Sequence, residues 1–160
     1  MRILAIDPGT KKSAYVVYEH DRLREFGIFS NEDMLSIIRT TSNEHLAIEM
    51  VACYGMAVGK AVFETCLWTG RFIESHEVGW KKPHTKVYRK DVKMHLCHSM
   101  RAKDGNIRQA IIDRYPATGG GATPQIGTKK QPGPLYGVRK DIWSALAIAI
   151  TFSETQKTKN

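Results

Sequence analysis

The apolar positions of this chain form two kinds of pattern: short unbroken runs, and longer stretches with apolar residues three and four apart. Ile3-Leu-Ala-Ile6 is a run too short for a helix and rich in branched residues, which predicts a buried strand. It ends on a carboxylate, Asp7, and on Pro8-Gly9, a turn signal that a central strand does not carry. Ala14 to Tyr18 and Leu23 to Phe29 read as two further strands joined by a tight turn at His20-Asp21, so the first three strands form an antiparallel meander. Asn31 is the predicted N-cap of a helix over 32–40, with Met34, Leu35, Ile37 and Ile38 as its apolar face. His45-Leu-Ala-Ile-Glu49 is a second apolar run that closes on an acid.

The longer spacing governs the rest of the chain. Val58, Val62, Phe63, Cys66, Leu67, Phe72 and Ile73 predict a helix over 56–75 that Gly59 and Gly70 interrupt. Lys86 to Tyr88 reads as a short strand, 91–97 and 103–115 as helices, and 116–137 as a mobile loop rich in glycine and proline. Asp141 opens an apolar helix, Ile142-Trp-Ser-Ala-Leu-Ala-Ile-Ala-Ile150, that is apolar nearly all round and is expected to lie buried on the sheet. The polar tail 155–160 is expected to fray. The order predicts a mixed α/β chain whose first three strands are antiparallel and whose later strands are parallel.

Composition narrows this picture. A length of 160 residues with 42% hydrophobic and 25% charged residues is one ordinary domain, 1–160. The chain carries neither a membrane-length apolar run nor a signal peptide, which predicts a cytoplasmic protein. Cys53, Cys66 and Cys97 are widely spaced and odd in number, the pattern of reduced thiols. The net charge of +8 is concentrated over 81–103, where eight Lys or Arg residues face the single acid Asp91. Such a field favours a polyanion, nucleic acid above all.

Three acids share one placement. Asp7 and Glu49 each close an apolar strand, and Asp141 opens an apolar helix. Parallel neighbouring strands would bring the first two to one sheet rim, and a buried helix starting there would add the third. Taken separately they are a turn former, an exposed strand end and an N-cap. Taken together they repel, and a hard divalent cation, Mg²⁺ or Mn²⁺, is what stabilises such a group. Two ions per site could activate a water and stabilise the leaving oxygen of a phosphodiester.

Ile6-Asp7-Pro8-Gly9-Thr10, Ile48-Glu49 and Asp141-Ile-Trp-Ser144-Ala-Leu-Ala-Ile-Ala-Ile resemble the RuvC-type Holliday junction resolvases, along essentially the whole chain. The resemblance implies a ribonuclease H-like five-stranded mixed sheet flanked by helices. It also implies a homodimer, with the Gly59/Gly70 helix as the candidate contact, that hydrolyses four-way or other branched DNA, with Asp7 bridging both metals and Glu49 and Asp141 each supporting one. The wording after Glu49 and the short length suggest a phage or prophage member. Two departures matter. Ser144 stands where the family carries a fourth acid, and Tyr54 is the nearest candidate for the aromatic that stacks at the junction centre, a core tyrosine being the other reading. The resemblance places Lys93 and Lys103 where the family touches junction phosphates. Arg89, Lys90, Lys129 and Lys130 are further candidate DNA contacts, each open to reading as a solvated surface cation. A nuclease of the same fold acting on flaps or RNA, and a catalytically weak branched-DNA-binding protein, are the alternatives; dependence on a helicase is unspecified by the sequence. An actin-like ATPase would need a second half that this length excludes.

Overall fold

Burial on both faces makes β1 the centre of the molecule. In the computed structural model, which describes residues 1–159, β1 (Arg2–Asp7) keeps Ile3, Leu4, Ala5 and Ile6 at no more than 1% exposure. That burial explains an apolar run without alternation. β2 (Lys12–Glu19) and β3 (Arg22–Ser30) continue antiparallel from one side of it. Their connection places His20 and Asp21 at φ 50° and 58°, positive at both positions as a two-residue hairpin of matching twist requires. On the other side β4 (His45–Met50) and β5 (His84–Tyr88) run parallel to β1, giving the order β3-β2-β1-β4-β5. The architecture is the expected ribonuclease H-like mixed sheet.

Alternation along the strands divides the core in two. Leu4, Ile6, Tyr15, Val17, Leu46 and Ile48 face α1 (Asn31–Thr40) and α2 (Lys60–Trp80), where Met34, Ile38 and Phe72 complete the layer. Ile3, Ala5, Ala14, Val16 and Ala47 face α3 (Arg89–Cys97), α4 (Asp104–Ile112) and α5 (Ile142–Lys159). Ala5, Ala14 and Ala47 make that face shallow, so α5 lies close on the sheet with every residue from Ala145 to Phe152 buried.

Several local expectations are corrected. Ser30, not Asn31, caps α1 by accepting the Asp33 N–H at 3.2 Å. Asn31 is buried and acts as a tie: its amide donates to the Gly9 carbonyl at 2.9 Å and its side-chain oxygen accepts from Ser13 at 2.6 Å. Ser13 in turn accepts the Gly9 N–H at 3.1 Å. α2 starts at Lys60 and ends at Trp80, because Tyr54 and Gly55 take left-handed φ of 47° and 82° and Gly59 becomes its N-cap. Phe63 and Leu67 of α2 are exposed. The helix α4 stops at Ile112, leaving Tyr115 buried in the following loop, and α5 continues through Lys159, with Lys157 paired to Asp21, where a frayed tail was expected; Asn160 lies outside the described residues. Segment 116–137 has no helix, yet hydrogen bonds such as Gly119 N–H to Pro124 and Gly133 N–H to Ile126 tie it to itself. It also buries Leu135 in the α5 layer. Among the described residues no helix is long and apolar enough to cross a membrane.

Candidate active site

Asp7 is the last residue of β1, and β4 pairs with β1 so that Ile48 stands beside Ile6. The next residue on each strand is therefore the acid. By strand alternation both point to the face that carries Ala5, Ala47 and α5. The Glu49 carboxyl lies close enough to Asp7 to disfavour a charge on it. Burial pushes the Asp7 carboxyl up to about 9, with further upward contributions from the neighbouring Glu49 and from Asp141, while Arg89 pulls it down. Gly9 makes the turn beyond Asp7 possible: a Cβ there would stand 2.2 Å from the Lys12 carbonyl oxygen. The Ser13–Asn31 tie then fixes the turn. Asp141 sits just outside α5 and begins it, its carbonyl accepting the Ala145 N–H at 3.0 Å. The preceding Lys140, at φ 48°, directs the chain into the helix.

The structure thus joins Asp7 to Glu49 and brings Asp141 within electrostatic reach. Among the described residues no three His, Cys, Asp or Glu side chains are arranged to hold a metal ion as they stand. The donor chemistry nevertheless fits a hard divalent cation. The three candidate ligands offer only oxygen, and beyond its burial Asp7 feels the negative charges of Glu49 and Asp141, a repulsion that a cation would relieve.

Beside Asp141 opens a cleft of about 600 Å³. Ser144, one helical turn along α5, lines it with Asp141, and the rim is basic: Arg89, Arg108, Arg139 and Lys140. Arg89 connects the two features, since its charge reaches Asp7 while its side chain pairs with Asp104 at the cleft.

Among solved structures, the chain matches the Thermus thermophilus RuvC structure with a TM-score of 0.70 at 16% identity, covering 99% of this chain and 97% of that one. It matches T. thermophilus RuvC in complex with Holliday junction substrate with a TM-score of 0.70 at 15% identity, covering 99% and 96%. The fold is RuvC-like. Neither the known family models nor the curated proteins match the sequence.

In this RuvC-like frame the predicted DNA contacts fall in different places. Tyr54 is 57% exposed, which removes the core reading. Met56 N–H bonds the Cys53 carbonyl at 2.9 Å, closing a turn that presents Tyr54. The ammonium of Lys90, at the start of α3, lies 5.8 Å from the Tyr54 ring, so loop and helix form one surface. Lys93 is half-buried on α3, and Lys103 is exposed at the N-terminus of α4, its backbone N–H held by Asn106 at 2.9 Å. Lys129 and Lys130 are exposed at a turn closed by the Thr128 N–H to Gln131 carbonyl bond at 3.0 Å. Sequence reasoning missed Arg108, Arg139, Lys140 and Trp143. Arg139-Lys140 carried a signal, two cations directly before the helix-opening acid; Arg108 carried none, because its partner lies on another helix.

Proposed function

We propose that this chain is a metal-dependent, structure-specific DNA endonuclease that hydrolyses four-way junctions or other branched DNA, a RuvC-type resolvase encoded by a phage or prophage and acting in the cytoplasm of its bacterial host. The observation that carries the reading is the side-by-side placement of Asp7 and Glu49 by strand register, with Asp141 acting on the same Asp7 carboxyl, at the sheet rim of a RuvC-like fold. The solved RuvC bound to a Holliday junction substrate supports the choice of branched DNA.

Asp7, Glu49 and Asp141 would hold Mg²⁺, with Mn²⁺ able to substitute, at two ions per site. What the ions supply is a lowered pKa for an attacking water and charge compensation at the leaving oxygen. The chain's own residues do the positioning. Strand register sets Asp7 beside Glu49, and the Ser13–Asn31 tie holds the turn that follows it. Arg89 balances part of the negative charge before substrate enters. Ser144 offers a neutral hydroxyl where the family carries a carboxylate, which weakens the hold on one ion. Lys90, Lys93, Lys103, Lys129 and Lys130 add phosphate contacts that position DNA without reading its sequence. Tyr54 is the stacking residue, and stacking is worth roughly 1–3 kcal/mol per base. The products are a 5′-phosphate and a 3′-hydroxyl.

Symmetric cleavage needs two sites, and the surface of α2 supports a homodimer. Phe63, Leu67 and Val78 are 64%, 66% and 68% exposed there, beside Gly70, above which a Cβ would meet nothing. One observation favours a second reading. Without a carboxylate at Ser144, the chain could bind branched DNA and cut it only weakly.

The test offers purified protein labelled four-way junction, flap, plain duplex and RNA substrates with Mg²⁺, Mn²⁺ or EDTA. Symmetric incision of the junction that needs a divalent ion, falls at least about a thousandfold in Asp7→Asn and loses efficiency in Tyr54→Ala is the expected result; removal of a group essential to the reaction has effects of that order. Preference for flap or RNA reassigns the substrate. Tight junction binding with no incision in either metal replaces the nuclease by the binding protein.

A further inference from the structure

The cleft beside Asp141 holds a pair of side chains, from two helices, that the acid site does not use. Arg108 of α4 lays its guanidinium over the indole of Trp143 on the first turn of α5, with the guanidinium carbon 4.8 Å from the ring centre. Trp143 is half-buried against the core and lies between Asp141 and Ser144 in sequence, so its ring is a braced plane next to the acids. A guanidinium held face-on by an indole keeps its N–H edges free, and those edges form a planar fork that matches two oxygens of one phosphate.

Arg71 also rests over an indole, that of Trp68 on α2, away from the acids, while three further arginines are engaged by hydrogen bonds. Arg89 pairs with Asp104 on the same cleft, Arg114 bonds Glu154 and the Ala110 carbonyl, and Arg39 donates to Ser75. Among the described residues the one partner of the Arg108 guanidinium is the Trp143 ring, and Arg89–Asp104 is the one ion pair between lining residues of the cleft. Arg139 and Lys140 share the lining and make the field positive, but Arg108 is the cation there that rests over an aromatic ring. A charge left uncompensated yet braced by a neighbour, in the cleft that Asp141 also lines, suits a ligand that brings its own negative charge.

We propose that Arg108, held flat by Trp143, is a phosphate fork that grips the DNA backbone phosphate next to the scissile one and so registers the strand over Asp7 and Asp141. This rests on the nuclease reading and adds a substrate-positioning pair to it. A fork makes two separable demands. The charge of Arg108 supplies affinity, and its planarity and bracing supply register. Lysine keeps the first and loses the second.

The experiment measures four-way junction binding by full-length Asp7→Asn protein in EDTA across a salt series, and single-turnover junction cleavage with Asp7 intact and Mg²⁺ present. In binding, Arg108→Ala is expected to weaken affinity about tenfold, as loss of one hydrogen bond to a charged group does. It should also make the slope of log K against log salt shallower by about 0.9, the share of one phosphate. Arg108→Lys should keep that slope while cleaving about tenfold more slowly, the scale on which small misplacements act. Trp143→Ala should cleave as slowly as Arg108→Lys, and Trp143→Phe, which keeps an aromatic face and guards against misfolding, should recover most of the rate. An unchanged slope in Arg108→Ala, or wild-type cleavage by Arg108→Lys, overturns the fork and leaves the nuclease reading intact. A wild-type chain that cuts no DNA, with a slope that still depends on Arg108, overturns the nuclease reading and leaves the fork standing.

Discussion

A carboxyl group raised to about 9 is largely protonated at neutral pH, so metal-free Asp7 carries a proton that the unfolded chain, with an ordinary value near 3.8, has already released. Between those two values the folded state binds more protons than the unfolded state, and stability falls as pH rises. The metal-free protein should therefore melt at a higher temperature at pH 5 than at pH 8, and Asp7→Asn should remove most of that slope while raising Tm at pH 8. In a chain of this size each kcal/mol recovered appears as about 2–4 °C. Mg²⁺ added at pH 8 should stabilise the wild type and leave Asp7→Asn unmoved, by the ordinary linkage of ligand binding to folding. Thermal denaturation in EDTA and in Mg²⁺ across pH checks all three; a flat wild-type profile would remove the carboxyl crowding on which the metal site depends. Ser144 belongs to the same question. Ser144→Asp adds a fourth acid at the cleft, so calorimetric Mg²⁺ affinity should rise by about tenfold or more and metal-free stability at pH 8 should drop. If neither quantity moves, Ser144 lies outside the metal's reach.

At the level of elements, legibility followed whether a segment's partner is the core or something else. β1, β4 and α5 were readable because burial on every side leaves an apolar run, and an acid that nothing apolar would select closes the first two runs and opens the third. The helix α2 has apolar residues at helical spacing as well, but spacing reports an amphipathic surface without naming what covers it, so it does not tell that Phe63 and Leu67 stay exposed. Asn31 has the residue type of an N-cap; only the fold reveals that its side chain is needed at Gly9. The Arg108–Trp143 pair joins residues that share no local pattern. Segment 116–137 illustrates the same limit most fully, because backbone groups hold it, and backbone hydrogen bonds leave little trace in side-chain pattern. Its glycines do carry information once placed. At Gly127, with φ 77°, a Cβ would stand 2.3 Å from the Gly133 nitrogen, and one at Gly133 would stand 2.3 Å from the Pro124 carbonyl oxygen. Gly127→Ala should thus cost at least about 2 kcal/mol, from left-handed strain together with the clash. Because the loop runs through buried Leu135 toward Asp141, hydrogen exchange of residues 119–135 and junction affinity should both change, whereas Lys129→Ala should alter affinity alone.

For the molecule as a whole, the two faces of the sheet divide the work. One face carries α5, the acids and the basic cleft; the other carries α2, whose outer surface bounds a largely apolar groove of about 780 Å³ formed in part by Leu35, Leu67, Gly70 and Val78. Exposed side chains of that size on one helix leave apolar area in water that a second copy would cover, at roughly 25 cal/mol per Å². The site itself gains nothing from that surface chemically, since Asp7, Glu49 and Asp141 come from one chain. What a dimer adds is simultaneity: two sites delivered to one junction by a single binding event, so that the second cut follows before the first product leaves. Leu67→Glu, exposed and far from the acids in sequence, should leave Tm within a few °C yet shift the species seen by sedimentation velocity from two chains to one. Its binding to a junction should weaken and its products should change from paired incisions to single nicks, most clearly on a supercoiled cruciform, where nicked circle would replace linear DNA. Linear product at the wild-type rate from a monomeric Leu67→Glu protein would show that one chain resolves both strands and that the apolar face of α2 serves some other contact.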